Sequence, residues 1–191
     1  GDRVTVFPLL PCFSCSSCKN NKYAQCSDYS YYGSRCQGAY AEYVDVRSWN
    51  LLALPEDVDL QDAALMEPFS VAFHTVNKGK ILGGNFNGSV LILGAGFIGL
   101  LMAKILRNKR PDLSIYMIDR NQFKLDIVKK LGVGTQCLTS ENEWSDYLGI
   151  GREFDCVIEA SGVPSFFVHS INLTKRFGRL VWMGNISGDL N

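Results

Sequence analysis

The chain has 191 residues, 47% of them hydrophobic, enough for one large domain or two small ones with a substantial core. Lys+Arg and Asp+Glu each number 19, so no net field favours nucleic acid or an anionic membrane. The longest uncharged apolar stretch, Val90 to Ala103, is broken by three glycines. It falls short of the roughly 18 residues a membrane span requires, and no secretory leader pattern opens the chain. A cytoplasmic location, with neither nucleic acid nor membrane as partner, is expected.

A strand is predicted over Arg3 to Phe7. Beyond it runs Cys12-x2-Cys15-x2-Cys18-x7-Cys26, which places four of the seven cysteines within fifteen residues. Thiolates at such spacing wrap a tetrahedral zinc in a closed site that offers no open position for chemistry. A disulfide framework is the weaker alternative, because no secretory signal is present and Cys36, Cys137 and Cys156 are scattered. The expected zinc would fix a lobe with little core of its own. Cys36, in Gly33-Ser34-Arg35-Cys36-Gln37-Gly38, is read as a loop thiol before a fifth ligand or a nucleophile, since no histidine stands near it. Arg35 is either a solvated loop arginine or a contact for an anionic substrate group. Ala39 to Val46 alternates in part and is rich in aromatics, which predicts a strand. Leu51 to Leu54 predicts a short one before the Pro55-Glu56-Asp57 turn.

Asp59 is placed to cap a short helix, with Asp62 in its first turn. Glu67 then stands between an apolar run and Pro68, which opens the next helix. Taken alone it reads as a capping or solvated glutamate. His74, seven residues on, shares roughly the same helical face and reads as packing rather than as a ligand. Gly79 to Gly88 has the composition of a connecting loop.

Val90 to Leu93 is long enough for a buried strand and leads into Gly94-Ala95-Gly96-Phe97-Ile98-Gly99. Ile98, Leu101, Met102, Ile105 and Leu106 then follow at the spacing of one helix face. Strand, glycine turn and helix in that order form the dinucleotide-binding fingerprint. Gly94 would permit the tight turn, Gly96 the approach of a pyrophosphate, and Gly99 close packing of helix on strand. The exposed N–H groups at the helix start would face the phosphates. A second strand, Ser114 to Ile118, ends in Asp119, placed to bind a ribose 2′-hydroxyl and to repel a 2′-phosphate. NAD is therefore expected over NADP, with Arg120 blurring the preference. A different nucleoside, such as S-adenosylmethionine, and an ordinary glycine turn both remain compatible with this stretch.

Strand candidates begin near Val90, Ser114, Gln136, Asp155 and Arg179, at intervals of 24, 22, 19 and 24 residues. That is the beat of βαβ units in a parallel sheet. Between them, a helix over Gln122 to Leu131 is expected to bury Phe123, Ile127 and Leu131 and to stop at Gly132. Ser140-x-x-Glu143 is a capping box for another helix, and Pro164 suits the first turn of a third. Strand Cys156 to Ile158 runs into Glu159-Ala160-Ser161-Gly162. This loop should share the carboxyl edge with the glycine turn, where ligands bind in open α/β sheets, so Ser161 and Gly162 join the expected cofactor-binding residues. A full dinucleotide fold has six strands; the sixth is expected beyond Asn191.

Cysteine cluster, Glu67-Pro68 and nucleotide fold, in that order, resemble a zinc-dependent medium-chain alcohol dehydrogenase along the whole chain. GDRVTVFPLLPCFSC resembles that family's approach to its structural zinc, and the polyol dehydrogenase branch has a glutamate–proline pair where Glu67-Pro68 stands. Cys36 and Ala39 depart from the family's loop pattern, which bears on substrate more than on family. The resemblance implies an α/β Rossmann doubly wound parallel sheet over 78–191. Before it, over 1–77, would lie part of a mainly-β GroES-like catalytic domain with a structural zinc lobe. It implies a zinc- and NAD-dependent oxidation of a secondary alcohol in a polyol or polyol phosphate. Glu67 would belong to a catalytic zinc site, as ligand or neighbour. Lys124 would help Asp119 hold the adenosine ribose, and the Phe97 and Ile98 amides would meet the pyrophosphate. No residue here matches the catalytic zinc's cysteine and histidine ligands or the proton-relay hydroxyl. They are expected before Gly1, and these residues by themselves are expected to be inactive. A homo-oligomer, dimer or tetramer, is expected by analogy. A relative that binds nucleotide and zinc without catalysis is the alternative of a different class.

Overall fold

The computed structural model describes residues 1–134, 136–138 and 153–185; the predicted capping box Ser140-x-x-Glu143 and the side chain of Cys137 lie outside the described residues. Two compact units divide the chain, Gly1–Glu67 and Pro68–Asn191.

In the first unit, β1 (Val4–Val6) pairs antiparallel with β4 (Leu51–Ala53), and β2 (Leu9–Leu10) with β3 (Ser30–Tyr31). Short helices α1 (Ser16–Lys19) and α2 (Leu60–Ala63) complete it. Asp59 caps α2 as expected, accepting from the Gln61 amide at 2.6 Å. Few apolar side chains are buried here: Leu9, Leu54 and Ala63 beside Cys18 and Cys26. Polar ties carry much of the load instead. The buried Asn50 donates to the Phe7 and Leu9 carbonyls at 2.5 and 2.7 Å, and its own carbonyl accepts from the Phe7 amide at 2.8 Å. Arg3 donates to the Glu56 carbonyl at 2.8 Å and also to that of Val58. Trp49 gathers Phe7, Phe13 and Tyr23 at ring separations of 5.7, 5.0 and 5.3 Å.

The strand expected over Ala39 to Val46 does not form: the segment pairs with none of the described strands, and Tyr40 and Tyr43 stand exposed. Alternation and aromatic content express a preference for a pleated, half-buried surface. A strand also needs a ladder partner, and sequence pattern does not supply one.

The second unit begins within α3 (Met66–Lys78), which buries Ala72, Thr75 and Val76. Its sheet contains β5 (Ser89–Leu93), β6 (Ser114–Ile118), β7 (Gln136–Leu138), β8 (Phe154–Glu159) and β9 (Thr174–Trp182). These are all parallel, in the order β7-β6-β5-β8-β9. The chain starts at the centre, winds out to one side, and returns to wind out to the other. Loops leaving β5 and β8 therefore diverge and open a crevice at their carboxyl ends. Successive residues of β5 serve opposite faces: Val90 and Ile92 pack with one cluster, Leu91 and Leu93 with the other. Coverage of both faces explains why the strand is apolar throughout.

Helix α4 (Phe97–Lys109) turns the expected stripe inward, burying Met102, Ile105 and Leu106. Helix α5 (Gln122–Leu131) has the expected ends, with Gly132 as left-handed C-cap at φ 61°, but not the expected face. Phe123 and Leu131 are 72% and 48% exposed, while Leu125 and Val128 are fully buried. Two stripes in this sequence have helical spacing. The Asn121 side chain caps the first turn by accepting from the Phe123 amide at 3.0 Å, and the helix docks with its Leu125 and Val128 stripe in the core. Helix α6 (Pro164–Asn172) starts with Pro164, as expected. Among the described residues no helix is long and apolar enough to cross a membrane.

Two arginines hold the loop from Gly79 to Gly88 by its backbone. Arg110 donates to the carbonyls of Ile81, Gly83 and Phe86 at 3.0, 2.8 and 2.5 Å. Arg179 donates to that of Lys80 at 2.7 Å.

Where this loop enters the sheet, Asp155 accepts from the Ser89 amide and hydroxyl at 2.8 and 3.0 Å and pairs with Lys175 at 2.8 Å. Burial raises the carboxyl's pKa, but Lys175 and the two Ser89 donors outweigh it and hold the group below its ordinary value. A depressed folded pKa gives stability that is present at neutral pH and lost as the carboxylate protonates. Asp155→Asn is expected to cost about 1 kcal/mol at neutral pH, with the deficit shrinking below about pH 4. Urea unfolding of both proteins across that range measures it.

Candidate functional site

The glycine turn occupies the centre of the carboxyl edge. Gly94 has φ 110°, the left-handed region that favours glycine, and its amide donates to the Ile118 carbonyl at 2.7 Å. A Cβ on Gly94 would lie 3.0 Å from the Ser161 nitrogen, and one on Gly99 would lie 2.1 Å from the Gly94 oxygen. Gly96 differs: no described atom lies within 4 Å of a Cβ built there. Gly96 is the N-cap of α4 and offers no side-chain acceptor to the first-turn amides. The Phe97 and Ile98 N–H groups, at the helix start, have no intrahelical acceptor. Open space beside helical donors that have no partner among the described residues fits a pyrophosphate.

Asp119 leaves β6 beside this turn and is only 7% exposed. Its Oδ2 accepts from the Ala95 amide at 2.9 Å and pairs with Lys124 at 3.3 Å, while Oδ1 accepts from the Asn121 amide at 2.9 Å. A carboxylate has about four acceptor directions, so capacity is left for a ribose hydroxyl. A phosphate placed there would meet the carboxylate's charge.

On the other side of the turn, Ser161 and Gly162 follow β8, and the Ala160 amide donates to the Leu93 carbonyl at 2.9 Å. Their own donors are engaged. The Ser161 amide, the Ser161 hydroxyl and the Gly162 amide all donate to Oε1 of Glu159, at 2.8, 2.5 and 3.0 Å. Glu159 belongs to none of the sequence motifs. Its signal was available, a charged residue closing the buried run Cys156-Val157-Ile158. At the end of β9, Trp182 and Met183 line a cavity of about 740 Å³ with Ser70, His74 and Lys78 of α3. His74 thus borders open space instead of packing in the core.

In the first unit the Sγ atoms of Cys12, Cys15, Cys18 and Cys26 all lie within 4.8 Å of one another. Cys12–Cys18 and Cys15–Cys26 are 4.0 and 3.9 Å apart. Tetrahedral zinc with bonds of about 2.3 Å sets its thiolates about 3.8 Å apart, so the four fit that ion. Backbone donors at Cys18 and Ser27 bring the Cys15 thiol down to about 5, and the Ser14 hydroxyl and amide lower Cys12. Burial pushes Cys18 up to about 12. Cys36 stands outside the cluster, donating to the Tyr31 carbonyl at 3.6 Å. Arg35 lies over the Tyr29 ring at 4.0 Å and donates to its hydroxyl at 2.8 Å.

Glu67 is exposed and accepts from the Tyr31 hydroxyl at 3.1 Å. Burial, then the Glu67 charge, raise the Tyr31 pKa. Among the described residues no further His, Cys, Asp or Glu gathers with Glu67 into a metal-holding group.

Comparison with known proteins agrees with both halves. A family model described as Alcohol dehydrogenase GroES-like domain matches residues 1–56, and one described as Glucose dehydrogenase C-terminus matches residues 60–189. The chain belongs to the zinc-dependent medium-chain alcohol dehydrogenase family. It is 34% identical to galactitol 1-phosphate 5-dehydrogenase of Escherichia coli K12, over 100% of this chain and 55% of that protein. It is 32% identical to L-threonine 3-dehydrogenase of Idiomarina loihiensis, over 100% of this chain and 57% of that protein. The crystal structure of an alcohol dehydrogenase from E. coli CFT073 complexed with NADH has TM-score 0.84 and 27% identity, covering 96% of this chain and 54% of that one. The chain thus spans just over half the length of the relatives it matches.

Zinc analysis of the purified protein is expected to give one tightly held ion per chain, and Cys15→Ser or Cys18→Ser to abolish it. Each substitution, like chelation, should melt the first unit, because a structural metal's binding free energy is folding free energy. Circular dichroism before and after zinc is added back measures that.

Proposed function

We propose that this chain supplies the structural-zinc lobe and the NAD-binding unit of a dehydrogenase. The reaction is oxidation of a secondary alcohol in a polyol or polyol phosphate, of the galactitol 1-phosphate to tagatose 6-phosphate type. The observation that carries the cofactor half is the buried Asp119 carboxylate, bonded to the Ala95 amide inside the glycine turn and retaining acceptor capacity beside it. The substrate half is supported by the 34% relative and by PLLPCFSC, YGSRCQGAYAEY and ALMEPFSVAFH, which resemble galactitol-1-phosphate 5-dehydrogenases. The 32% relative favours a second reading, a threonine-type enzyme.

Cys12, Cys15, Cys18 and Cys26 would hold zinc in a role confined to folding. Gly94, Gly96 and Gly99 shape the phosphate turn, the Phe97 and Ile98 amides meet the phosphates, and Asp119 with Lys124 holds the ribose. The loop carrying Ser161 and Gly162 borders the same edge. Bound NAD supplies the hydride acceptor, and the protein supplies orientation and exclusion of water. Glu67, with Tyr31 donating to one oxygen, is the residue this chain would contribute to a catalytic zinc site. In that reading 1–77 form part of the catalytic domain and 78–191 the nucleotide domain, in a cytoplasmic homo-oligomer.

The test is NAD reduction by the whole zinc-loaded protein, with galactitol 1-phosphate, galactitol, sorbitol and threonine offered in turn. Turnover of the phosphate ester alone is expected. Turnover of threonine alone moves the assignment to the second reading, and an unphosphorylated polyol removes the phosphate from the first. Glu67→Ala is expected to lose turnover by at least a hundredfold, about 3 kcal/mol of activation free energy, with NADH fluorescence titrations unchanged.

A further inference from the structure

The loop after β8 presents an arrangement that the dinucleotide reading does not require. Glu159 is fully buried, and one of its carboxylate oxygens collects three donors, two from Ser161 and one from Gly162. The Ser161 hydroxyl in turn accepts from the Val163 amide at 3.0 Å, which extends the hold to the start of α6. The Glu159 carbonyl meanwhile accepts from the Met183 and Gly184 amides at 2.9 and 3.1 Å. One residue therefore fixes the loops that follow both β8 and β9. The loop it holds is the one against which Gly94 packs.

The second carboxylate oxygen, Oε2, is buried with no hydrogen-bond partner among the described residues. It lies beside Gly184, where an added Cβ would come within 2.3 Å of it and 2.5 Å of the Gly162 nitrogen. A buried acceptor left unpaired is unfavourable and rare in native structures, so a purely structural tie would be served better by a group without it. What Glu159 adds is a single buried oxygen on which three donors of the following loop converge.

We propose that Glu159 is the positioning residue of the dinucleotide site. By drawing the Ser161 and Gly162 donors inward it sets the loop that abuts the phosphate turn, and it does so without touching the cofactor. This rests on the dinucleotide reading above. Ser161 and Gly162 then serve the cofactor through the loop's path, since their amides and the Ser161 hydroxyl are already committed to Glu159.

NADH fluorescence titration of the full zinc-loaded chain tests this, at a temperature where circular dichroism shows each protein folded. Wild type should bind NADH. Glu159→Ala should bind at least tenfold more weakly, and Glu159→Gln, which keeps one acceptor oxygen where the three donors converge, should recover to within a few-fold of wild type. Gly184→Ala keeps the Glu159 carboxylate but drives a methyl group against both Oε2 and the Gly162 nitrogen, pushing the loop off Glu159, and should weaken NADH as Glu159→Ala does. It also tests the proposal if Glu159→Ala fails to fold. Wild-type affinity in Glu159→Ala, or in Gly184→Ala, overturns the positioning role. So does equal weakening in the alanine and glutamine variants. Absence of NADH binding in wild type overturns the dinucleotide reading instead.

Discussion

The Ala95 amide, at the tip of the glycine turn, donates to a carboxylate that is almost wholly shielded from water. Parallel pairing brings that bond about. Leu93 is in register with Ile118 on one side and with Glu159 on the other, so the ends of three strands are level. Past that level the ladder continues by one bond on each side, from Gly94 to Ile118 and from Ala160 to Leu93. The next amides have no strand to pair with, and side-chain carboxylates take them: Asp119 for Ala95, Glu159 for Ser161 and Gly162. Backbone donors that run out of sheet are in this way satisfied without water, which leaves the helical donors of α4 facing open space.

The two units cohere by different physics. The nucleotide unit buries apolar runs on both faces of a sheet, and its glycines matter where backbones touch. In the first unit the strands are only two or three residues long and apolar burial is sparse. There the fold depends on groups that each satisfy several partners: Asn50 bridging two carbonyls, Arg3 reaching across to the Glu56 and Val58 carbonyls, and four converging thiols. A short chain segment with little core commonly needs such a staple.

Features set by local stereochemistry could be read from the sequence. Glycines at 94, 96 and 99, cysteines at 12, 15, 18 and 26, and the cap at Asp59 each do a job that depends on near neighbours, and each stands where spacing put it. The strand beat was legible because a doubly covered strand must be apolar along its length. What failed depended on three-dimensional arrangement that spacing along the chain does not carry. The segment from Ala39 to Val46 has a strand's composition but no ladder. Helix α5 carries two apolar stripes, and the choice between them is made by how the helix docks on the core. Glu159 is hidden in the sequence because a charged residue at a strand's end looks ordinary until three donors converge on one of its oxygens.

The arginines that hold the loop from Gly79 to Gly88 bind carbonyl oxygens, and a carbonyl is the same whichever residue carries it. The grip on those carbonyls therefore places little demand on the exposed side chains of the loop, although Phe86 is held in the core under Arg179. Natural variation should accumulate along Gly83 to Asn85, while Arg110 and Arg179, far off in sequence, should resist replacement even by lysine, whose single ammonium cannot span several carbonyls in a plane. Drift in the loop and constancy in its two holders would be separate signatures of a single contact.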